Sequence, residues 1–359
     1  VTSSKGSFID KTIRLNNSAN LFWLSPGGIR LGKNASFINI PNLSLSTANV
    51  LRFGNGRFDV YRSKPSDLSG LIDPPLSGSH GLSVDPVSDS LGIVKRPGIY
   101  LDGIDVSIDG SLYVDAMNDA LTVRSSDVSV NSPDAIGGSL TLTGKSVELK
   151  GSTQLSATGF QGGGLIQVGG SWQNSDQSVR QATTTTIGSD VVMDASAVQI
   201  GKGGTIVVWS DIYSHDSITD VGGSLLALGG RHHGDGGRIE TSGATLSFAP
   251  DLKIDASAFE GEAGLWLQDP FNYFIESAPA GSIEYSLDSG TNVTVSTAVD
   301  NTSLGSSSNS GDPGNITLAS PISKTTGSPV TLTFEADNDV VLNASIGSIG
   351  DSLNVVAKA

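Results

Sequence analysis

The chain has 359 residues, enough for two or three ordinary domains or one elongated repeat body. Its formal net charge of -15 excludes nucleic acid and anionic membranes as partners, since both are held by basic patches that release counterions. With no cysteine, a disulfide framework and a thiolate metal site are excluded as well.

No apolar run approaches the roughly 18 residues of a membrane span. Val1 follows neither an initiator Met nor a signal-like segment, which predicts a mature form or an excised fragment. Residues 7–49 then read as short strands broken by turns, as in Thr12-Ile13-Arg14-Leu15 and Ile29-Arg30-Leu31, with no helical period. Ser25-Pro26-Gly27-Gly28 is a tight turn: proline presets one backbone angle and glycine is free to take the left-handed one.

The run A-N-L-F-W-L-S-P-G-G-I-R-L-G-K-N-A-S-F at 19–37 resembles the secretion domain of filamentous-haemagglutinin-type exoproteins of two-partner secretion. Gly6-Ser7-Phe8-Ile9-Asp10 resembles the segment before it, and Ser25 and Gly27 replace the two asparagines of the family's N-P-N-G turn. Further similar stretches fall at 183–187, 203–211, 267–275 and 290–295, so the resemblance covers most of 6–53 and 138–359. It implies export through an outer-membrane β-barrel transporter, with Ser25, Pro26, Gly27, Gly28 and Ile29 as the transporter-recognition turn. It also implies a secreted protein on a bacterial outer cell surface.

Residues 54–100 carry Pro65, Pro74, Pro75, Pro86 and Pro97 at irregular apolar spacing, which predicts an extra-helical excursion rather than central strands. Smaller excursions are expected at 173–186 and 278–312, where 303–311 is close to low complexity. From Gly138 the rhythm settles: alternation points Leu140, Leu142, Val147 and Leu149 inward and Thr141 and Glu148 outward.

One unit recurs. Met193-Asp194-Ala195-Ser196 leads through Gly203-Gly204 into an apolar strand, and Ile254-Asp255-Ala256-Ser257 leads through a glycine turn into another. Such a module cannot bury its own apolar face and must stack on its neighbours. Asp194, Ser196, Asp255 and Ser257 are read as corners capped by side-chain hydrogen bonds, and Gly203 and Gly204 as corners needing close backbone approach.

The pattern predicts an all-β, right-handed parallel β-helix with extra-helical loops and hairpins. Residues 1–137 are read as the C-terminal part of a secretion domain and 138–359 as the β-helical body. Coils of roughly 20–25 residues would number about 15 and make a rod of roughly 70–80 Å.

Catalytic motifs are lacking. Gly201-Lys202-Gly203-Gly204 resembles part of a phosphate loop but lacks its leading glycine and reads as a polar solenoid corner, and Arg231-His232-His233-Gly234-Asp235 reads as a solvated turn. Trp172, Trp209 and Trp266 read as core or partly buried packing rather than outward sugar platforms. No cofactor and no metal is expected. The rival reading, a β-helix polysaccharide-degrading enzyme, needs carboxylates on one face of adjacent coils; Asp194, Asp211, Asp235 and Asp255 have that spacing. The favoured reading is a fibrous adhesin that attaches without catalysis to a cell-surface glycan or protein receptor. A purely architectural envelope or filament component, marked by self-association, is the other alternative.

Overall fold

The computed structural model describes residues 1–3, 5–53, 56–61, 98–297 and 314–359. Its construction is clearest in one turn of chain. Ser139–Thr143, Ser146–Lys150 and Gln154–Ser156 are short strands whose apolar residues fall at every second position. Leu140, Leu142, Val147, Leu149 and Leu155 are all buried, as the two-residue period requires. Only a few residues separate these strands, so each swings onto a new wall instead of folding back on its predecessor.

Each of these strands then pairs in parallel with its counterpart one coil earlier: Ser139 with Ser111, Ser146 with Ala120, and Gln154 with Asp127. Repetition builds walls of eight, six and eleven strands around one apolar interior. The protein is thus mostly β, with long parallel sheets in a solenoid-like stack. The register crosses residue 137 without a break, since Ser111–Asp115 pairs with Ser139–Thr143.

One corner explains the glycine pairs. At Gly138, Gly164, Gly204, Gly237 and Gly264, an added Cβ would strike the carbonyl oxygen of the corresponding glycine one coil back. Those carbonyls accept the next coil's N–H groups, as in Leu165 N to Gly138 O (2.9 Å) and Thr205 N to Gly164 O (2.9 Å). Only glycine lets the backbones approach this closely.

Three expectations need correction. Among the described residues the longest wall has eleven strands, a stack of roughly 50 Å at the usual strand spacing, where about 15 coils were expected. The coils are longer than expected because several carry insertions between walls. The 173–186 stretch is not all excursion: Thr184–Ile187 is a strand of the eight-stranded wall, and Thr185 is buried.

The 278–312 stretch opens as a helix, Ser277–Ser289, which buries Ala280, Ile283 and Leu287 in the core. This helix lies against Lys253–Asp255 and Ile322–Lys324, where neighbouring coils place a strand. Its end is set by Gly290 at φ 93°, the left-handed cap that glycine adopts freely.

Val50–Phe53 and Gly56–Asp59 form an antiparallel hairpin, the only antiparallel pairing among the described residues. Ile99–Asp102 rejoins the eight-stranded wall. Residues 54–55 and 62–97 of the predicted 54–100 excursion, and residues 298–312 of the 278–312 stretch with its 303–311 segment, lie outside the described residues.

Candidate functional site

The turn singled out in the sequence is built from local hydrogen bonds. Gly28 N donates to Ser25 O (2.9 Å), Ser25 Oγ donates to Gly28 O (2.8 Å), and Ser7 Oγ donates to Ser25 Oγ (2.9 Å). Gly28 sits at φ 104°, which explains the glycine there. Ser25, Pro26, Gly27, Gly28 and Ile29 are all buried, so the folded turn presents no side chain outward.

Beside it lies an open groove of about 620 Å³ on the outer face of the eight-stranded wall. Its floor follows from register. Strands Ser7–Ile9, Ile29–Leu31 and Ile99–Asp102 are adjacent, so Phe8, Arg30 and Tyr100 form one outward row. Phe8 is 68% exposed and Tyr100 40%. Lys5, Lys33 and Asp10 also line it, with glycines 27, 28 and 98 before the strands and Gly32 after them. A smaller pocket of about 350 Å³ continues along the same face to Thr122, Arg124 and Lys150.

Charge in the groove is uneven. Arg124 holds Asp102 with two hydrogen bonds (2.9 and 2.6 Å), and this contact, aided by the nearby Arg30 charge, keeps that carboxyl below the usual range. Lys150 pairs with Glu148 at 2.7 Å. Lys5, Arg30 and Lys33 form no ion pair among the described residues. Three cations and two carboxylates, one of them held by Arg124, thus line the groove beside two exposed aromatic rings.

No family model matches this chain, and neither does any curated protein. Function must therefore be argued from its own residues.

The four aspartates of the enzymatic reading are scattered. Asp194 and Asp255 occupy the same wall position two coils apart and accept Ser196 N and Ser257 N, each at 2.9 Å. Asp211 accepts Tyr213 N (3.1 Å) and Asp235 accepts Glu262 N (3.0 Å). Ser196 Oγ goes on to accept Leu228 N from the next coil (3.0 Å). Gly203 and Gly204 sit in the glycine corner, with Gly204 N donating to Ala195 O (2.7 Å). His232 and His233 are exposed, and among the described residues no three His, Asp or Glu side chains are grouped to hold a metal.

Sequence reasoning missed a different carboxylate pair. Glu240 and Asp269 face outward from adjacent strands of the eleven-stranded wall, yet both are buried. The segment after Trp172 lies over this face, where Gln173 N donates to Glu240 Oε2 (2.8 Å). Arg238 stacks on the Trp172 ring at 4.3 Å, and Trp209 Nε1 donates to Gln181 Oε1 (3.0 Å). Trp209 and Trp266 are fully buried, the first under this cover and the second inside the coil.

Burial pushes the Glu240 carboxyl up to about 8 and Asp269 up to about 7. Ser242 Oγ donates to Glu240 Oε1 (2.9 Å), while Asp269 Oδ1 has no partner among the described residues. The covering segment closes Glu240 to a polymeric substrate. Nothing in R-I-E-T-S at 238–242 signals the burial, because the cover comes from residues some sixty positions earlier. The groove did leave a trace: Gly6-Ser7-Phe8-Ile9-Asp10 and Gly98-Ile99-Tyr100-Leu101-Asp102 share one pattern.

Proposed function

We propose that this chain is a segment of a secreted fibrous exoprotein of the filamentous haemagglutinin type, a right-handed parallel β-helix that attaches to surfaces without catalysis. The observation that carries the proposal is the parallel stacking along an eleven-strand wall with a glycine corner, which makes a rigid stalk. The motifs at 6–10 and 19–37 supply the family link. Such a chain is exported by a two-partner transporter and folds coil by coil outside the cell. Because Ser25–Ile29 is buried once folded, the transporter reads this segment before the first coils close.

The test incubates the purified chain with intact cells and a polysaccharide panel, reading retention and glycan length together. The proposal expects retention with glycan length unchanged. Shortened glycan would overturn it in favour of a polysaccharide-degrading enzyme. Self-association with no retention would overturn it in favour of an architectural role.

A further inference from the structure

We propose that the groove over Phe8, Arg30 and Tyr100 is a binding site for an acidic oligosaccharide. The proposal rests on the attachment reading only in supposing a surface ligand; the chemistry comes from the groove itself. Phe8 and Tyr100 are two strand spacings apart in the parallel register, about 10 Å. That length matches the spacing of alternate rings in an extended pyranose chain, so each aromatic can carry one sugar face with the intervening sugar over Arg30. Both rings leave an exposed face that a sugar's C–H face could cover.

Between the rings stands Arg30, with Lys5 and Lys33 also lining the groove and no carboxylate paired to any of the three among the described residues. A guanidinium there offers a planar fork to a carboxylate or sulfate on the sugar. Charge density separates this ligand from other polyanions. Duplex nucleic acid carries one charge per roughly 1.7 Å, which the net -15 of the chain repels, whereas an acidic glycan carries about one per ring or two.

The experiment titrates the purified chain with labelled oligomers of a uronic acid, a sulfated galactan and an uncharged glucan of equal length. At least one acidic oligomer should bind about tenfold or more tighter than the glucan. Whichever acidic arm binds identifies the anionic group. Arg30→Gln and Tyr100→Ala should each weaken binding by about tenfold, while Tyr100→Phe keeps it and Lys202→Gln, on an exposed corner elsewhere, leaves it unchanged.

These side chains are exposed, so thermal unfolding of the variants should match the parent. As a check needing no variant, raising salt from about 50 to about 500 mM should weaken the acidic oligomer selectively. Absence of binding to both acidic oligomers, equal binding of the glucan, or indifference to Arg30→Gln would each overturn the proposal. Cell retention that survives Arg30→Gln would remove this site while leaving the attachment reading in place. Oligosaccharide binding without cell retention would do the reverse.

Discussion

Glu240 is the residue whose chemistry departs furthest from its sequence neighbourhood. Its carboxyl titrates near 4.5 in the open chain and near 8 in the fold, because burial penalises its charge. The folded state therefore binds more protons than the unfolded state between those values, and stability falls as pH rises through that window. Asp269 and the buried Asp115 shift in the same direction, each mainly through burial. Glu240→Gln should thus be close to the parent near pH 5 and more stable by roughly 4 kcal/mol near pH 9, as denaturant unfolding across pH would measure. The opposite slope would mean that Glu240 is charged and paired.

The corner residues give a second test at this scale. Asp255→Ala removes the acceptor of Ser257 N and should cost about 1 kcal/mol. Gly204→Ala places a methyl on the Gly164 carbonyl and should cost roughly 3 kcal/mol or abolish folding. Unfolding midpoints close to the parent would contradict the close approach.

At the scale of elements, the walls were legible and the helix was not. Alternation at Leu140, Leu142, Val147 and Leu149 reported the buried face directly, since a strand has only two sides. The helix at Ser277–Ser289 went unread because four serines, a proline and a glycine dilute its apolar spacing. Proline is tolerated there in the first turn, and Ser286 Oγ donates to the Ile254 carbonyl, fixing the helix to the coil before it (3.1 Å). Ile283 is fully buried, so Ile283→Ala should destabilise the protein by about 2–4 kcal/mol, read by thermal or urea unfolding.

The groove was half legible. Phe8 and Tyr100 sit in matching short motifs, but their adjacency depends on Arg30 intervening in register across a long sequence gap. The buried carboxylates were not legible. An outward position on a strand reads as solvated until some remote segment covers it, and here that segment begins at Trp172.

Across the whole molecule, both candidate features exist only because successive coils keep one parallel register. If the register slipped by one residue, Phe8, Arg30 and Tyr100 would no longer share a face, and the inward leucines would point to water. Register is therefore the central claim, and the absence of cysteine makes it directly measurable. Thr122 and Ser247 lie on the eight-stranded wall, separated by four strand spacings through Glu148, Thr186 and Asp220. Spin labels on Thr122→Cys and Ser247→Cys should give a narrow distance distribution centred near about 20 Å. A broad distribution, or one centred beyond about 30 Å, would contradict the stacking and with it the groove, the stalk and the buried acid pair.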